Sequence, residues 1–271
     1  MEGKMQMEPK FLIYFTFAKS TIRQEMTYRA SFITGVIGQW IAYGGTFLSL
    51  YIMIENFNVM GGWNSYEVLY LYAFNLLSYA LGATVFFTPC RNLPMKIRTG
   101  EFDISLTKPI TPFLHEVYNG FNFGYIGHII LAVSVMIFTV SRLDIQISIL
   151  KLILLLICAA LLQSAFLILS SSFCFVTVNQ NPVFDFILWN FKSFTNYPIT
   201  IYGTAIQFLL TFILPFAFMN FYPSLILLDK ASSSPFTDWL PYASPLVGIV
   251  IFILSIKVWN YGLSKYQSSG S

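Results

Sequence analysis

The side chains able to do chemistry are few. The chain holds two histidines and three cysteines. His115 falls in a charged connection and His128 inside a run without charge, so their spacing gives them no shared task. Cys90, Cys158 and Cys174 sit within or beside apolar runs, with no zinc-type spacing and no paired framework. They read as small packing residues, or, for Cys90, as a free or acylated thiol. The H-E-x-x-H pattern is absent. Ser170, Ser171 and Ser172 lack a histidine on their own helix, and small hydroxyls commonly let helices pack closely. No Asp or Glu lies mid-run, as an intramembrane protease would need. The phosphate loop G-x-x-x-x-G-K-S/T is missing too, the only Gly-Lys pair being Gly3-Lys4. The chain is therefore expected to be no enzyme, to hold no metal or cofactor, and to depend on another polypeptide for nucleotide-driven work.

Six stretches without a charged residue would have to position these groups: 30–54, 68–90, 117–141, 152–184, 193–228 and 239–256. A bilayer core takes about 20 apolar residues in helical form. Unalternating Leu, Ile, Phe and Val read as helices rather than barrel strands. Charged residues make up 10% of the chain, against about 25% in soluble domains. Six spans with short loops use up the 271 residues and leave no room for a soluble catalytic domain. A net charge of +3 gives no ground for a nucleic-acid partner.

The cations fix the orientation. Lys4, Lys10, Lys19, Arg23, Arg29, Arg91, Lys96, Arg98, Lys108, Lys192, Lys257 and Lys265 fall on one side of a six-span arrangement. Only Arg142, Lys151 and Lys230 fall on the other, so both termini are expected in the cytoplasm. The predicted fold is an all-α membrane protein, one transmembrane domain over 8–265. Its spans are expected at about 32–54, 67–89, 119–140, 149–177, 198–226 and 240–260. Before them, Phe11, Phe15, Ala18, Ile22 and Met26 make an apolar stripe, predicting an amphipathic interfacial helix over about 10–29 that rests on membrane lipid. Residues 1–7 and the tail 266–271 look like additions and are set aside. The fifth stretch exceeds one perpendicular crossing, and Pro215 interrupts it. A broken span followed by a re-entrant external segment is expected there, with a kinked, tilted helix as the alternative.

Mid-run polar residues are Gln39, Asn75, His128, Gln163, Gln207 and Asn220. Of these, Gln39, Asn75, Gln207 and Asn220 are the candidate lining of a translocation path. They serve equally well as hydrogen bonds between helices. His128 is the only titratable group near a run centre, which leaves an ion-coupled carrier thinly supported. The connection 91–116, RNLPMKIRTGEFDISLTKPITPFLHE, is the densest in charge. Pro94 suits the start of a short helix and Gly100 its end. Ile97, Phe102, Ile104 and Leu106 lie between charges, an arrangement suited either to docking on a partner or to lying on the membrane.

The run R-T-G-E-F-D-I-S-L-T-K-P, residues 98–109, resembles the pattern that type-2 ABC exporter permeases of bacteria carry between their second and third spans. I-L-P-F-A-F-M-N-F-Y-P, residues 213–223, is similar to a second stretch of that group, and Tyr28-Arg29 is a weaker third match. The resemblance covers almost the whole chain. It implies the transmembrane subunit of an ATP-driven exporter in the bacterial cytoplasmic membrane, paired with a second permease chain, identical or homologous. A separate soluble ATPase would bind the ATP and Mg. Arg98, Gly100, Glu101, Asp103, Leu106, Lys108 and Pro109 would form the interface to that ATPase. The first segment would be the family's elbow helix. A hydrophobic or amphipathic cargo is expected between permease chains, beside the first, second and fifth spans. A secondary carrier and a non-transporting scaffold or sensor subunit are the alternatives.

Overall fold

The structure is a computed structural model that describes residues 29–57, 61–177 and 193–267. The expected interfacial helix over 10–29 lies outside the described residues, save Arg29. What is described is all-helical. The long helices are α1 (Arg29–Phe57), α2 (Ser65–Arg98), α5 (Ile126–Leu143), α6 (Ile149–Ser172) and α10 (Ser244–Ser264). Shorter ones are α3 (Phe102–Leu106), α4 (Pro112–Asn119), α7 (Cys174–Thr177), α8 (Thr204–Phe208) and α9 (Phe221–Leu227). Among the described residues, four helices are long and apolar enough to cross a membrane: Ser65–Arg98, Phe123–Leu143, Ile149–Thr177 and Leu240–Ser264. Helix α1 has the length of a crossing, at 29 residues, and carries no charged residue between Arg29 and Glu55.

Helix α2 is the axis of the bundle. A capping box starts it: Asn64 Oδ1 accepts from the Glu67 amide and Glu67 Oε2 from the Asn64 amide, both at 2.9 Å. From Val68 to Ala80 every residue is buried. At about 1.5 Å per residue its 34 residues span roughly 51 Å, well beyond a hydrocarbon core of about 30 Å. Its last turns therefore project past the apolar zone and carry Arg91, Lys96 and Arg98. Pro94 does not begin a separate helix, as the sequence predicts; it lies inside α2, buried with Leu93 and Ile97. Those contacts hold the helix through the missing hydrogen bond. Gly100, with φ +73°, ends the run, a conformation that glycine takes without strain.

Helix α6 packs between α2 and α10. Small residues let the backbones close up: Gly82 faces Ala160 and Ser164, and Gly248 lies on the Cys158 carbonyl. Apolar residues point outward from the bundle, with Ile41 72% and Leu150 80% exposed. Asn75, Gln163, Thr195 and Asn220 are buried instead. Apolar outside and polar within is the arrangement that lipid favours.

The stretch 198–226 departs from a single crossing. Helix α8 continues as one π-turn, Leu209–Ile213, and stops at Leu214 and Pro215. A 3₁₀ turn, Phe216–Met219, leads into α9. Thr200 Oγ1 donates to the Gly61 carbonyl at 3.0 Å, while Lys230 Nζ donates to the Gly62 carbonyl at 3.2 Å. Both ends of the segment thus lie beside the start of α2. Its middle reaches Phe166 of α6, whose ring centroid is 4.6 Å from that of Phe216. The expected break at Pro215 is present, and the limits 198–226 enclose a hairpin that enters and leaves at one end of the bundle.

Candidate functional site: a docking element and a polar seam

Beyond the apolar zone, α2 hands over to α3 through Thr99, Gly100 and Glu101. Helix α3 has two faces. Phe102 and Ser105 point inward and are buried. Ile104, 54% exposed, and Leu106, 45% exposed, point outward with Met95 of α2 at 64%. Arg98, Glu101, Lys108 and Pro109 are exposed around them. The outer surface is thus an apolar centre with a charged rim.

The inner side is held in two ways. Phe102 sits in an aromatic box, its ring centroid 5.4 Å from Phe175, 6.4 Å from Trp259 and 5.2 Å from Tyr266. Burying such a ring stabilises by about 1.5–3 kcal/mol. The second hold is a polar chain centred on the buried Ser105 and Glu116. Lys96 Nζ lies 2.8 Å from Glu116 Oε2, and Ser105 Oγ donates to Glu116 Oε1 at 2.5 Å. His115 Nδ1 is 3.0 Å from Ser105 Oγ, and the Asn119 amide nitrogen is 3.1 Å from His115 Nε2. With Asn119 donating to Nε2, the ring proton rests on Nδ1 and is given to Ser105. Lys96 also lies 3.9 Å from Glu101 at the exposed rim. Helices α2, α3 and α4 are thereby locked into one rigid element.

Asp103 sits apart from the other residues expected at the interface. It is half-buried and accepts a hydrogen bond from the Tyr266 hydroxyl at 3.0 Å. The sequence reading sets residue 266 aside as part of an appended tail. Here Tyr266 packs on Phe102 and Phe175 and belongs to the fold. One aromatic amid Lys, Gln and Ser carries no local sign of that contact. Glu116, Ser105 and His115 also escape sequence reasoning, because their chain closes only in three dimensions.

The four path candidates divide. Asn75 is joined to Gln163, whose amide donates to the Asn75 carbonyl at 3.1 Å and to Ser78 Oγ at 2.7 Å. The Asn75 amide donates to Thr195 Oγ1 at 3.2 Å, and the Asn220 amide donates to the Thr195 carbonyl. Asn75 and Asn220 thus share one seam tying α2, α6 and the hairpin together. Gln39 lies beside Gly127, where the neighbouring Trp40 Nε1 donates to the Gly127 carbonyl at 2.9 Å. Gln207 donates to the Tyr202 carbonyl at 2.7 Å. An open cleft of about 190 Å³ is lined by Tyr43, Tyr72, Asn75, Leu76, Tyr79, Ser193 and Asn196. Of the four candidates, only Asn75 is among those lining residues. His128 is buried against the rings of Tyr43 and Tyr125, at 4.3 Å and 5.2 Å.

At the opposite end, Lys230 Nζ lies 2.6 Å from Glu67 Oε2 and 5.6 Å from the centroid of the Trp63 ring. The pair fastens the end of the hairpin to the start of α2.

Comparison with known proteins gives one family. A family model described as ABC-2 family transporter protein matches residues 40–270. Neither a curated protein nor a solved structure matches the chain. The match takes in residues 98–109, the hairpin and Tyr266, and its family supplies the membrane subunit of transporters whose ATPase is a partner. The chain is a multi-pass membrane protein and belongs to the ABC-2 transporter family.

Proposed function

We propose that this chain is the permease of an ATP-driven exporter in a bacterial cytoplasmic membrane. Two permease chains, identical or homologous, would pair within the lipid. A soluble ATPase would dock on residues 98–109 of each. The observation that carries this reading is the two-faced helix α3. A short helix fixed rigidly beyond the apolar zone, with Ile104 and Leu106 outward, is suited to a groove on a partner. Arg91, Lys96, Arg98 and Lys108 share that end, which favours placing it, and both termini, in the cytoplasm.

ATP binding would shift the permease pair between states by its differential affinity for them. The rigid element would carry the movement, since Lys96, Ser105, His115 and Glu116 leave α3 no freedom to move independently of α2. The cleft beside Tyr43, Tyr72 and Asn75 lies between the first two helices and the segment after residue 193, where cargo between permease chains is expected. Its lining has tyrosines and amides and no charged side chain, which suits a hydrophobic or amphipathic cargo. On this reading α1 is one of the crossings, and residues 198–226 hold the re-entrant segment.

The test is purification of the tagged permease from its own host membrane. The wild type should bring down an ATPase with a phosphate loop. Leu106→Asp should lose it at least ten-fold while keeping a monodisperse permease, because a charge would enter the apolar centre of the contact. Equal recovery of the ATPase with Leu106→Asp rules out docking on this face.

A further inference from the structure

Beyond the docking face itself lies the question of how its movement reaches the bundle. We infer that the box formed by Phe102, Phe175, Trp259 and Tyr266 is the joint that carries it, with Tyr266 as the positioning residue. This rests on the docking reading above.

Helix α3 has a single fully buried aromatic, Phe102, at 0% exposure. The partners of that ring come from the far ends of other elements. Phe175 is on α7, directly after α6. Trp259 is in the last turns of α10, and Tyr266 lies just past its end. The rings also touch one another: Phe175 and Trp259 centroids are 5.0 Å apart, and Phe175 and Tyr266 are 6.0 Å apart. Phe113 of α4 closes the box against Trp259 at 5.1 Å. A push on the outer face of α3 therefore meets the ends of α6 and α10 through close-packed rings, which transmit displacement because interiors are dense and stiff.

Tyr266 differs from the other rings in one respect. It holds α3 twice, by its ring on Phe102 and by its hydroxyl on Asp103 at 3.0 Å. Asp103 is next to Phe102 in sequence, so the two contacts fix both position and rotation of the short helix. Gly248 on the Cys158 carbonyl keeps α10 tight against α6, so a shift at Trp259 is shared by both helices. Without Tyr266, α3 stays attached to α2 and α4 through Glu116 and continues to present Ile104 and Leu106. It loses the hydrogen bond and ring contact to the segment after α10 and keeps only the longer Phe102–Trp259 ring contact, at 6.4 Å.

The experiment compares complexes of permease and ATPase in lipid nanodiscs by hydrogen–deuterium exchange, with and without ATP and vanadate. In the wild type, trapping should change exchange in peptides from 96–109 and also in those from 172–177 and 255–266. In Tyr266→Ala the ATPase should remain bound and the 96–109 response persist, while the response at 172–177 and 255–262 falls at least three-fold. Tyr266→Phe keeps the ring and should retain more than half of it. Should Tyr266→Ala fail to give a monodisperse permease, Phe102→Leu reads the same joint with the same three-fold threshold. A wild-type-sized response at 172–177 and 255–262 in these variants overturns the inference. So does loss of the ATPase from Tyr266→Ala, which would make Tyr266 a support of the docking face alone. A wild-type chain that holds no ATPase refutes the docking reading separately, and this inference with it.

Discussion

Removing the charge of Lys96 while keeping its length, as Lys96→Met, tests the rigidity of the element formed by α2, α3 and α4. The Glu116 side chain is 5% exposed and that of Lys96 is 22% exposed, with 2.8 Å between nitrogen and oxygen. Stripping the ammonium leaves a buried carboxylate with Ser105 as its remaining close donor. Breaking a buried pair from one side costs about 3–5 kcal/mol. The partial exposure of Lys96 and the bond from Ser105 put this case near the lower end, about 3 kcal/mol. At roughly 2–4 °C per kcal/mol for a chain of this size, the apparent melting temperature should drop by about 6–12 °C. The double change Lys96→Met with Glu116→Leu removes both charges and refills the space with apolar atoms. It should recover to within about 1 kcal/mol of the wild type, since a buried pair gains little over a well-packed apolar one. The assay is thermal loss of the monodisperse peak of fluorescently tagged protein in size-exclusion chromatography. A single variant within 2 °C of the wild type, or a double variant less stable than the single one, refutes the reasoning.

Other consequences are equally direct. Glu67→Ala leaves Lys230 without its carboxylate and should raise amide exchange at 61–67 and 221–230 several-fold, measured by mass spectrometry, with little change at 96–109. Asn220→Ala removes the donor to the Thr195 carbonyl and should cost about 1–3 kcal/mol, read as a lowered melting temperature in the same chromatographic assay. Gly248→Val places a branched side chain on the Cys158 backbone and should prevent α6 and α10 from closing, seen as loss of the monodisperse peak. His128→Ala should leave ATPase co-purification unchanged, because His128 lies among the rings of Tyr43 and Tyr125, away from α3.

Much of this molecule is legible in the sequence because lipid sets simple rules. The charge-free runs at 68–90, 117–141, 152–184 and 239–256 each overlap an apolar helix long enough to span, the third of them described as far as Thr177. Gly100 and Pro215 mark a helix end and a break through backbone chemistry that needs no tertiary context. Local signals fail where packing decides. Pro94 looks like a start, yet buried Leu93 and Ile97 carry α2 past it. The apolar length of 198–226 satisfies a hairpin as well as a crossing, and only its ties to Gly61 and Gly62 separate the two. The seam of Asn75, Gln163, Thr195 and Asn220 joins residues far apart in the chain, so composition cannot tell structural amides from a substrate path. Tyr266 hides in a polar tail, and its role appears once Phe102 and Asp103 are beside it.

The claim that this chain takes its driving force from a partner gripping α3 is tested most directly by photocrosslinking in the native membrane. The photoreactive amino acid p-benzoylphenylalanine would replace Ile104, on the outer face of α3. The account predicts a covalent adduct with a phosphate-loop ATPase, identified by peptide sequencing and lost when Leu106→Asp is added. Adducts with lipid alone, or an ATPase adduct unaffected by Leu106→Asp, would contradict it.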